Sequence, residues 1–379
     1  MAIVKQDAII GGVRDVVTGV RRCVRCVMPA NYPGISIDAD GICNFCRYFD
    51  THWGLWIASD EVKARSEAKL RRIFAAAKRK GKPYDALLGI SGGKDSSYCL
   101  YLCQEVYGLK VLTFTRDNGF LSDESKARIE QLVKVFSVPH FYYQNPMAVE
   151  LAGIFMRKTG NFCTPCELGT FNPNIVVARE YDIPLIVLGS SGRTDGTPPK
   201  FLNPWDPWYF NKVIKGEPCY ERLTKSGVAR NYFIQEGLAR LLGRRRIICL
   251  PNYVEWDEEE IAELFAREYG IQFGEEHSDC IVDGVKDYLY SKKCGGASPK
   301  VVKYSLLVRS GKISREEALA RIEEDEEQDC VLGLGRFLEL TGMTVEEFEA
   351  ASERSPEPYL KGISRVFNFL RRRMRLQAI

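Results

Sequence analysis

The stretch that decides the fold occupies residues 84–100 and reads Tyr84-Asp85-Ala86-Leu87-Leu88-Gly89-Ile90-Ser91-Gly92-Gly93-Lys94-Asp95-Ser96-Ser97-Tyr98-Cys99-Leu100. Its first half is an apolar run of strand length, and its last residues begin an apolar helical pattern. The glycines between them let the backbone curl without a Cβ clash, and a helix start offers N–H groups to phosphate oxygens. The stretch therefore predicts a strand, a phosphate-binding loop and a helix.

This loop differs from the Gly-x-x-x-x-Gly-Lys-Ser/Thr loop of ordinary nucleotide triphosphatases. It resembles the SGGxDS signature of the PP-loop ATP pyrophosphatase superfamily. The resemblance implies that the loop holds the β- and γ-phosphates of ATP, leaving the α-phosphate open to attack, with AMP and pyrophosphate as products.

Lys94 and Asp95 are the predicted catalytic residues of the loop. Lys94 supplies a cation, and Asp95 is the candidate ligand of Mg²⁺, a hard ion that prefers oxygen ligands. Arg193 or Lys200 is a candidate to stabilise charge on the α-phosphate. The residues predicted to bind ATP are Ile90, Ser91, Gly92, Gly93, Lys94, Asp95, Ser96, Ser97, Phe114, Thr115, Gly189 and Ser190.

Short apolar runs alternate with helical patterns around this stretch, which predicts a doubly wound parallel α/β sheet with ligands at the carboxyl ends of its strands. A helix over 60–80, capped by Asp60, leads into this core. We predict three parts: a zinc-ribbon module at 1–58, a PP-loop domain at 59–255 and a helical C-terminal region at 256–379. The predicted strands are 84–90, 110–115, 138–143, 184–190 and 247–250, and the predicted core helices are 95–106, 122–136, 148–158, 167–181 and 231–242.

The balance of charge is close to neutral, with 53 basic and 50 acidic residues among 379. Such a balance argues against a dedicated nucleic-acid binder. The sequence has no apolar run of the roughly 20 residues that a membrane span needs, and its N-terminus has no apolar signal core. We therefore expect a cytoplasmic enzyme without membrane contact, in which the 13 cysteines serve as metal ligands, reactive thiols and core residues rather than disulfides.

Four cysteines near the N-terminus form two Cys-x-x-Cys pairs separated by 16 residues: Cys23, Cys26, Cys43 and Cys46. This spacing is typical of a tetrahedral Cys₄ zinc site. Four thiols of a redox sensor are the alternative.

A second group contains Cys163 and Cys166, which precede a predicted helix on the substrate side of the sheet. A helix N-terminus lowers the pKa of a thiol, so these cysteines are candidate catalytic nucleophiles or ligands. With Cys280 or Cys294 as a third partner they are candidates for a second metal or an iron–sulfur cluster. A buried structural turn is the other reading. His277 is a weaker catalytic candidate.

Several motifs together resemble the N-acetyl sugar amidotransferases of bacterial surface-polysaccharide and lipopolysaccharide synthesis. They are Arg22-Cys23-Val24-Arg25-Cys26-Val27-Met28-Pro29, Pro33-Gly34-Ile35-Ser36, Gly41-Ile42-Cys43, the loop from Ser91 to Ser96, Asn161-Phe162-Cys163, and the stretch from Gly311 to Ala318.

The resemblance implies that ATP adenylates the oxygen of an acetamido group on a sugar and that ammonia then converts the group to an acetamidino group. Zn²⁺ and Mg²⁺ are the expected ions, and a separate glutaminase is the expected source of ammonia. The family favours an acidic Trp-Gly-Glu sequence after the fourth strand, where this chain has Leu188-Gly189-Ser190-Ser191-Gly192-Arg193, so the acceptor sugar is expected to differ.

Two other functions remain open from the sequence. One is a sulfur transferase that thiolates tRNA or a small molecule through Cys163 and Cys166, with the basic tail at 365–375 as a docking surface for tRNA. The other is a zinc-bearing scaffold that binds ATP without cleaving it. Whether the chain forms a homo-oligomer is also open.

Overall fold

Five parallel strands form the central sheet of the computed structural model, which describes residues 20–193, 207–225, 244–274, 279–326, 331–360 and 362. The strands are β1 (Ala86–Gly89), β2 (Val111–Asp117), β3 (His140–Gln144), β4 (Leu185–Leu188) and β5 (Arg246–Cys249). Their order is β3-β2-β1-β4-β5, and every neighbouring pair is parallel. The predicted doubly wound parallel sheet is confirmed.

Helices cover both faces of the sheet and form the C-terminal region. In chain order they are α1 (Asn44–Thr51), α2 (Trp53–Ala58), α3 (Asp60–Lys78), α4 (Lys94–Tyr101), α5 (Asp123–Phe136), α6 (Ala148–Thr159), α7 (Cys163–Glu180), α8 (Pro207–Ile214), α9 (Cys219–Lys225), α10 (Glu258–Tyr269), α11 (Asp283–Lys293), α12 (Val301–Arg309), α13 (Arg315–Glu326), α14 (Leu334–Thr341) and α15 (Val345–Ser352). None of the described helices is both long enough and apolar enough to cross a membrane. The predicted helix at 231–242, His277, Lys200 and the tail at 365–375 lie outside the described residues.

Buried apolar side chains on β1 explain why this strand is central. Leu88 packs into a cluster with side chains of α3, α4 and α5, whereas Leu87 packs with Leu112 and Phe114 on the opposite face. Alternate residues of a strand point to opposite faces, so a continuous apolar run marks a strand covered on both sides. The sheet is therefore enclosed by helices, and the carboxyl ends of its strands are left for a site.

The cap of α3 differs from the prediction. Ser59 is the N-cap, and its side chain accepts a hydrogen bond from the backbone N–H of Val62 at 3.3 Å. Asp60 lies in the first helical turn instead, where a carboxylate interacts favourably with the helix dipole. The prediction of Asp60 as cap was wrong by one residue because both residue types favour helix starts.

Packing ties the N-terminal module and the C-terminal region to each other and to the core. The four paired cysteines share a buried cluster with Val301, Tyr304, Ala318 and Ile322. Helix α10 packs against α4, and its Ile261 and Phe265 belong to the same buried cluster as β1. The three predicted domain ranges stay a prediction, although α10 belongs by packing to the core.

Candidate functional site

The loop after β1 has a backbone conformation that only glycine adopts comfortably. Gly92 has a φ of +77°, and a Cβ at this position would lie 2.8 Å from the carbonyl oxygen of Ser125. Helix α5 holds the loop from this side: the Ser125 hydroxyl donates to the Ser91 carbonyl at 2.7 Å, and Arg128 Nε donates to the Gly92 carbonyl at 3.0 Å. The loop is therefore fixed by its neighbour before any ligand arrives.

Two serine hydroxyls of the loop are used within the turn. Ser96 Oγ accepts from the Ser91 N–H at 3.2 Å and donates to the Gly93 carbonyl at 3.1 Å, while Ser97 Oγ donates to the same carbonyl at 2.8 Å. Ser97 is fully buried. Both hydroxyls thus shape the turn that presents the N–H groups at the start of α4, and their contact with ATP stays a prediction.

Phe114 and Thr115 support the loop from β2. The Phe114 carbonyl accepts from the Ile90 N–H at 2.9 Å, and the Thr115 hydroxyl donates to the Ile90 carbonyl at 2.6 Å. The ring of Phe114 stacks on Phe141 in the core, and both Phe114 and Thr115 are buried. In this structure the two residues hold the end of β1 in place rather than line an open surface.

The end of β4 approaches the start of α4 closely. A Cβ on Gly189 would lie 3.4 Å from the backbone carbonyl carbon and oxygen of Asp95, so a larger residue would press on the loop. Ser190 follows and is exposed. β1 and β4 are neighbours in the sheet, and the strands that follow them in sequence lie on opposite sides, β2 and β3 beyond β1 and β5 beyond β4. The gap between the ends of β1 and β4 is therefore the topological switch point, where doubly wound sheets bind ligands.

The carboxylate of Asp95 lies in a half-buried position at the first turn of α4. Its Oδ1 accepts a hydrogen bond from the indole N–H of Trp256 at 2.9 Å. Loss of hydration raises the pKa of Asp95, and the indole opposes this rise. Among the described residues no hydrogen bond to Oδ2 is present, so the carboxylate can offer an oxygen to Mg²⁺.

Lys94 is held by an acidic partner from α10. Its Nζ donates to Glu258 Oε2 at 2.9 Å, and Lys303 of α12 donates to the same oxygen at 2.9 Å. Burial acts to raise the pKa of Glu258, but the charges and hydrogen bonds of Lys303 and Lys94 hold it below its usual range. The phosphate loop therefore faces a compact group of charges supplied by the C-terminal region.

Arg193 has a structural role in the part of the chain that the structure describes. Its guanidinium donates to the carbonyl oxygens of Pro251 and Val254 and lies 4.0 Å from the centre of the Trp56 ring. Burial lowers the pKa of Arg193 to about 10. The Nε and Nη2 donors of Arg193 thus join the loop after β4 to the segment after β5, and an α-phosphate contact for Arg193 stays a prediction.

The four N-terminal cysteines converge as predicted. All four are fully buried, and their Sγ atoms lie within 4.8 Å of one another. The separations are 3.9 Å for Cys23 and Cys46, and 3.7 Å for Cys26 and Cys43. Sulfurs around a tetrahedral zinc, each about 2.3 Å from the ion, are about 3.8 Å apart, so the space fits one metal ion.

Hydrogen bonds within the cluster prepare a thiolate. The hydrogen bonds from Cys43 and Cys46 hold the pKa of the Cys26 thiol well below its usual range, and the positive charge of Arg309 contributes to a smaller degree. Arg309 of α12 donates from Nε to Cys46 Sγ at 3.4 Å and from Nη2 to Cys26 Sγ at 3.5 Å. Arg315 donates to the Cys26 carbonyl at 3.1 Å. Such partners around the ligands orient them and strengthen metal binding.

The second cysteine group lies at the carboxyl edge of the sheet, beside the end of β2. Cys166 Sγ accepts from Arg116 Nη2 at 3.0 Å and from Asn118 Nδ2 at 3.3 Å. Cys280 pairs with Leu121 in an isolated antiparallel bridge, and burial raises the pKa of its thiol to about 12. Cys163 packs in the same buried cluster as Cys280.

These three cysteines do not converge on one ion. In the part of the chain that the structure describes, the N-terminal cysteines are the only set of three or more His, Cys, Asp or Glu residues with all ligand atoms within 4.8 Å. Cys294 lies with the N-terminal module and not with Cys163. A cluster or second metal at Cys163, Cys166 and Cys280 therefore stays a prediction.

Several residues of the site carry no signal in the sequence pattern. Trp256 and Glu258 reach the loop from 161 and 164 residues away, and Lys303 meets Glu258 from another helix. Arg309 is 283 residues from Cys26. All four residues lie just before or within helices of the C-terminal region. The sequence of these helices does not indicate that the C-terminal region packs against the phosphate loop and the N-terminal cysteines.

Solved structures with detectable similarity are distant. The NH3-dependent NAD synthetase of Campylobacter jejuni subsp. jejuni is 17% identical, with a TM-score of 0.27 over 48% of this chain and 83% of that chain. The NMN synthetase of Francisella tularensis is 11% identical, with a TM-score of 0.30 over 76% and 95%. The U34-tRNA thiolase NcsA of Methanococcus maripaludis, solved with its 4Fe-4S cluster, is 15% identical, with a TM-score of 0.32 over 80% and 88%. At these scores the fold rests on the strand order and the loop.

A family match is found in the C-terminal part of the chain, which supplies Glu258, Lys303 and Arg309 to the sites described above. No curated protein sequence matches the chain significantly. The model of the C-terminal domain of WbpG-like LPS biosynthesis proteins matches residues 252–372. This match confirms the predicted resemblance to a family of surface-polysaccharide synthesis.

Proposed function

We propose that this protein is an ATP-dependent amidotransferase that converts the acetamido group of an N-acetylated sugar to an acetamidino group. The observation that carries the proposal is the loop from Ser91 to Ser97, rigidly held at the switch point of the sheet with Lys94 and Asp95 at the start of α4. The match to an LPS biosynthesis family supports a sugar as the acceptor.

ATP fits the charge and shape of this loop. The first N–H groups of α4 and the ammonium of Lys94 would attract the β- and γ-phosphates. Gly92 and Gly189 let the loop pack closely against α5 and the end of β4, and this packing places the start of α4 at the switch point where a nucleotide would bind. Asp95 would hold Mg²⁺, which bridges and neutralises phosphate oxygens.

The chemistry follows from the weak reactivity of an amide. The acetamido oxygen attacks the α-phosphate, forms an O-adenylate and releases pyrophosphate. Ammonia then adds to the activated carbon, AMP leaves with the former acetamido oxygen, and loss of a proton gives the acetamidino group. Binding both reactants in line would contribute much of the rate, since correct placement lowers the entropic barrier. A separate glutaminase subunit is the proposed source of ammonia.

Zinc is the proposed ion of the four N-terminal cysteines. The four buried sulfurs would supply all four ligands of a zinc ion and leave no position for substrate, which is typical of structural rather than catalytic zinc. Its role would be to stabilise the module against helices α12 and α13, because binding energy of such a site is folding energy.

Release of pyrophosphate tests the proposal. Purified protein with MgATP should release pyrophosphate when an N-acetylated, nucleotide-linked sugar is present, and should turn over repeatedly to AMP and pyrophosphate only when an ammonium salt is added as well. Asp95→Asn should abolish the release. Asp123→Asn is the matched control, because Asp123 also lies in the first turn of a helix beside the loop but is fully exposed. Formation of ADP, or normal release by the Asp95 variant, would contradict the site.

Sulfur transfer is the second candidate, and the donors around Cys166 favour it. Arg116 and Asn118 both donate to its Sγ, and these donors would hold a sulfur atom in a fixed position beside the end of β2. Anaerobically purified protein with bound iron, and loss of ATP cleavage in Cys166→Ser with sulfide as donor, would favour this candidate. Full ammonia-dependent turnover by Cys166→Ser would exclude it.

A further inference from the structure

The charge group beside the phosphate loop contains a cation that the proposed function does not use. Lys94 and Lys303 donate to one and the same oxygen of Glu258, each at 2.9 Å. The three side chains are only 18% to 25% exposed, so their charges act on one another with little screening by water. Two lysines face one glutamate in this group, and all three charges act on the nearby carboxylate of Asp95.

Glu258 creates a conflict for nucleotide binding. Its carboxylate accepts a hydrogen bond from Lys94, which is the cation that the loop would offer to phosphate. The negative charge of Glu258 would also repel the phosphates of ATP. If Lys94 were its only partner, the pair would be neutral, and drawing Lys94 toward phosphate would leave a part-buried carboxylate uncompensated. Uncompensated buried charge is strongly unfavourable.

Lys303 resolves this conflict. Burial acts to raise the pKa of Glu258, and the charges and hydrogen bonds of both lysines hold it below its usual range. Lys303 lies in the first turn of α12, where the helix dipole disfavours a cation, so the contact with Glu258 is what compensates it there. Both Glu258 and Lys303 belong to the region matched by the LPS-biosynthesis family model.

We infer that Lys303 is a positioning residue for ATP: it neutralises Glu258, so that Lys94 remains available to the phosphates. The inference rests on the proposed ATP site. A lysine that bound phosphate directly would lower the affinity for ATP when removed, whatever the charge at position 258. The positioning role instead requires that the loss of ATP affinity on removal of Lys303 disappear when Glu258 is also replaced by a neutral residue.

A double-variant cycle tests the inference, with affinity for α,β-methylene-ATP and Mg²⁺ measured by calorimetry. Lys303→Ala should bind the ATP analogue roughly tenfold more weakly than the wild type. A loss of this size lies between the contribution of a solvent-exposed ion pair and that of a buried ion pair. Lys303→Arg should bind like the wild type, and Glu258→Gln should bind as tightly or more tightly. The variant with both Lys303→Ala and Glu258→Gln should regain the affinity of Glu258→Gln.

Lys300→Ala is the matched control, because Lys300 precedes the same helix but pairs with Asp325 instead of Glu258. It should leave the affinity unchanged. Unchanged binding by Lys303→Ala, or a double variant as weak as Lys303→Ala, would overturn the inference while the ATP site stands. Absence of binding by the wild type would overturn the ATP site and the inference together.

Discussion

Replacing Gly92 by alanine should damage the loop twice. The left-handed conformation, with φ of +77°, costs an alanine about 1–2 kcal/mol. The new Cβ would also lie 2.8 Å from the Ser125 carbonyl oxygen and 3.3 Å from Ile129 Cγ1, and forced contacts of this kind cost about 1–3 kcal/mol. Alanine also reduces the conformational entropy of the unfolded chain, which raises the free energy of unfolding by about 0.4–1 kcal/mol. The net loss in free energy of unfolding should be about 1–5 kcal/mol.

Gly311→Ala has only the first contribution, so the difference between the two variants measures the second. Gly311 has a similar φ of +73°, and a Cβ there would meet nothing within 4 Å, so this variant should lose only about 1 kcal/mol. Urea unfolding of both variants, together with binding of α,β-methylene-ATP, measures the difference. Gly92→Ala should be the less stable variant and bind the analogue poorly, whereas Gly311→Ala should bind it normally. Equal stability and equal binding of the two variants would refute the described loop conformation.

Three further predictions concern the other groups of the site. Asp95→Asn should unfold at the same temperature as the wild type at pH 7.5, or at a higher one. The pKa of the Asp95 carboxyl is raised in the native state, so the native state binds the carboxyl proton more tightly than the unfolded state does. Ionisation of Asp95 therefore lowers the free energy of unfolding as the pH rises above 3.8, and asparagine removes this loss. Cys23→Ser should lose the bound metal, and Arg309→Met should weaken it about 10- to 100-fold in competition with a chelator, whereas a metal affinity equal to wild type would contradict the role of Arg309. Arg193→Met should lower the free energy of unfolding by about 1–3 kcal/mol, measured in urea, because the buried carbonyl of Pro251 loses its donor; no change would show that this contact is dispensable.

The sequence was informative wherever the determinants are local. A strand, a turn that needs Gly92 and a helix start follow one another within residues 84–100, so their structure could be predicted from neighbouring residues alone. The short spacing within each Cys-x-x-Cys pair likewise predicts two thiols pointing at one ion. The parallel pairing of the strands followed from their alternation with helices, whereas their order is seen only in the structure.

The remaining features depend on contacts between distant parts of the chain. Nothing in the residues around Lys303 indicates that α12 meets α10 beside the loop, and nothing around Arg309 indicates that it reaches two cysteine sulfurs. Arg193 had the charge expected of a phosphate ligand, but only the structure shows its donors on backbone carbonyls. The short helices α1 and α2 were also missed in a segment that looked irregular.

The proposed function depends on attack of the acetamido oxygen on the α-phosphate of ATP. It is tested most directly with an N-acetylated sugar that carries ¹⁸O in its acetamido group, incubated with the protein, MgATP and ammonia. Mass spectrometry of the products should find the label in AMP and none in the acetamidino sugar. An unlabelled AMP, or label retained in the sugar, would contradict the account.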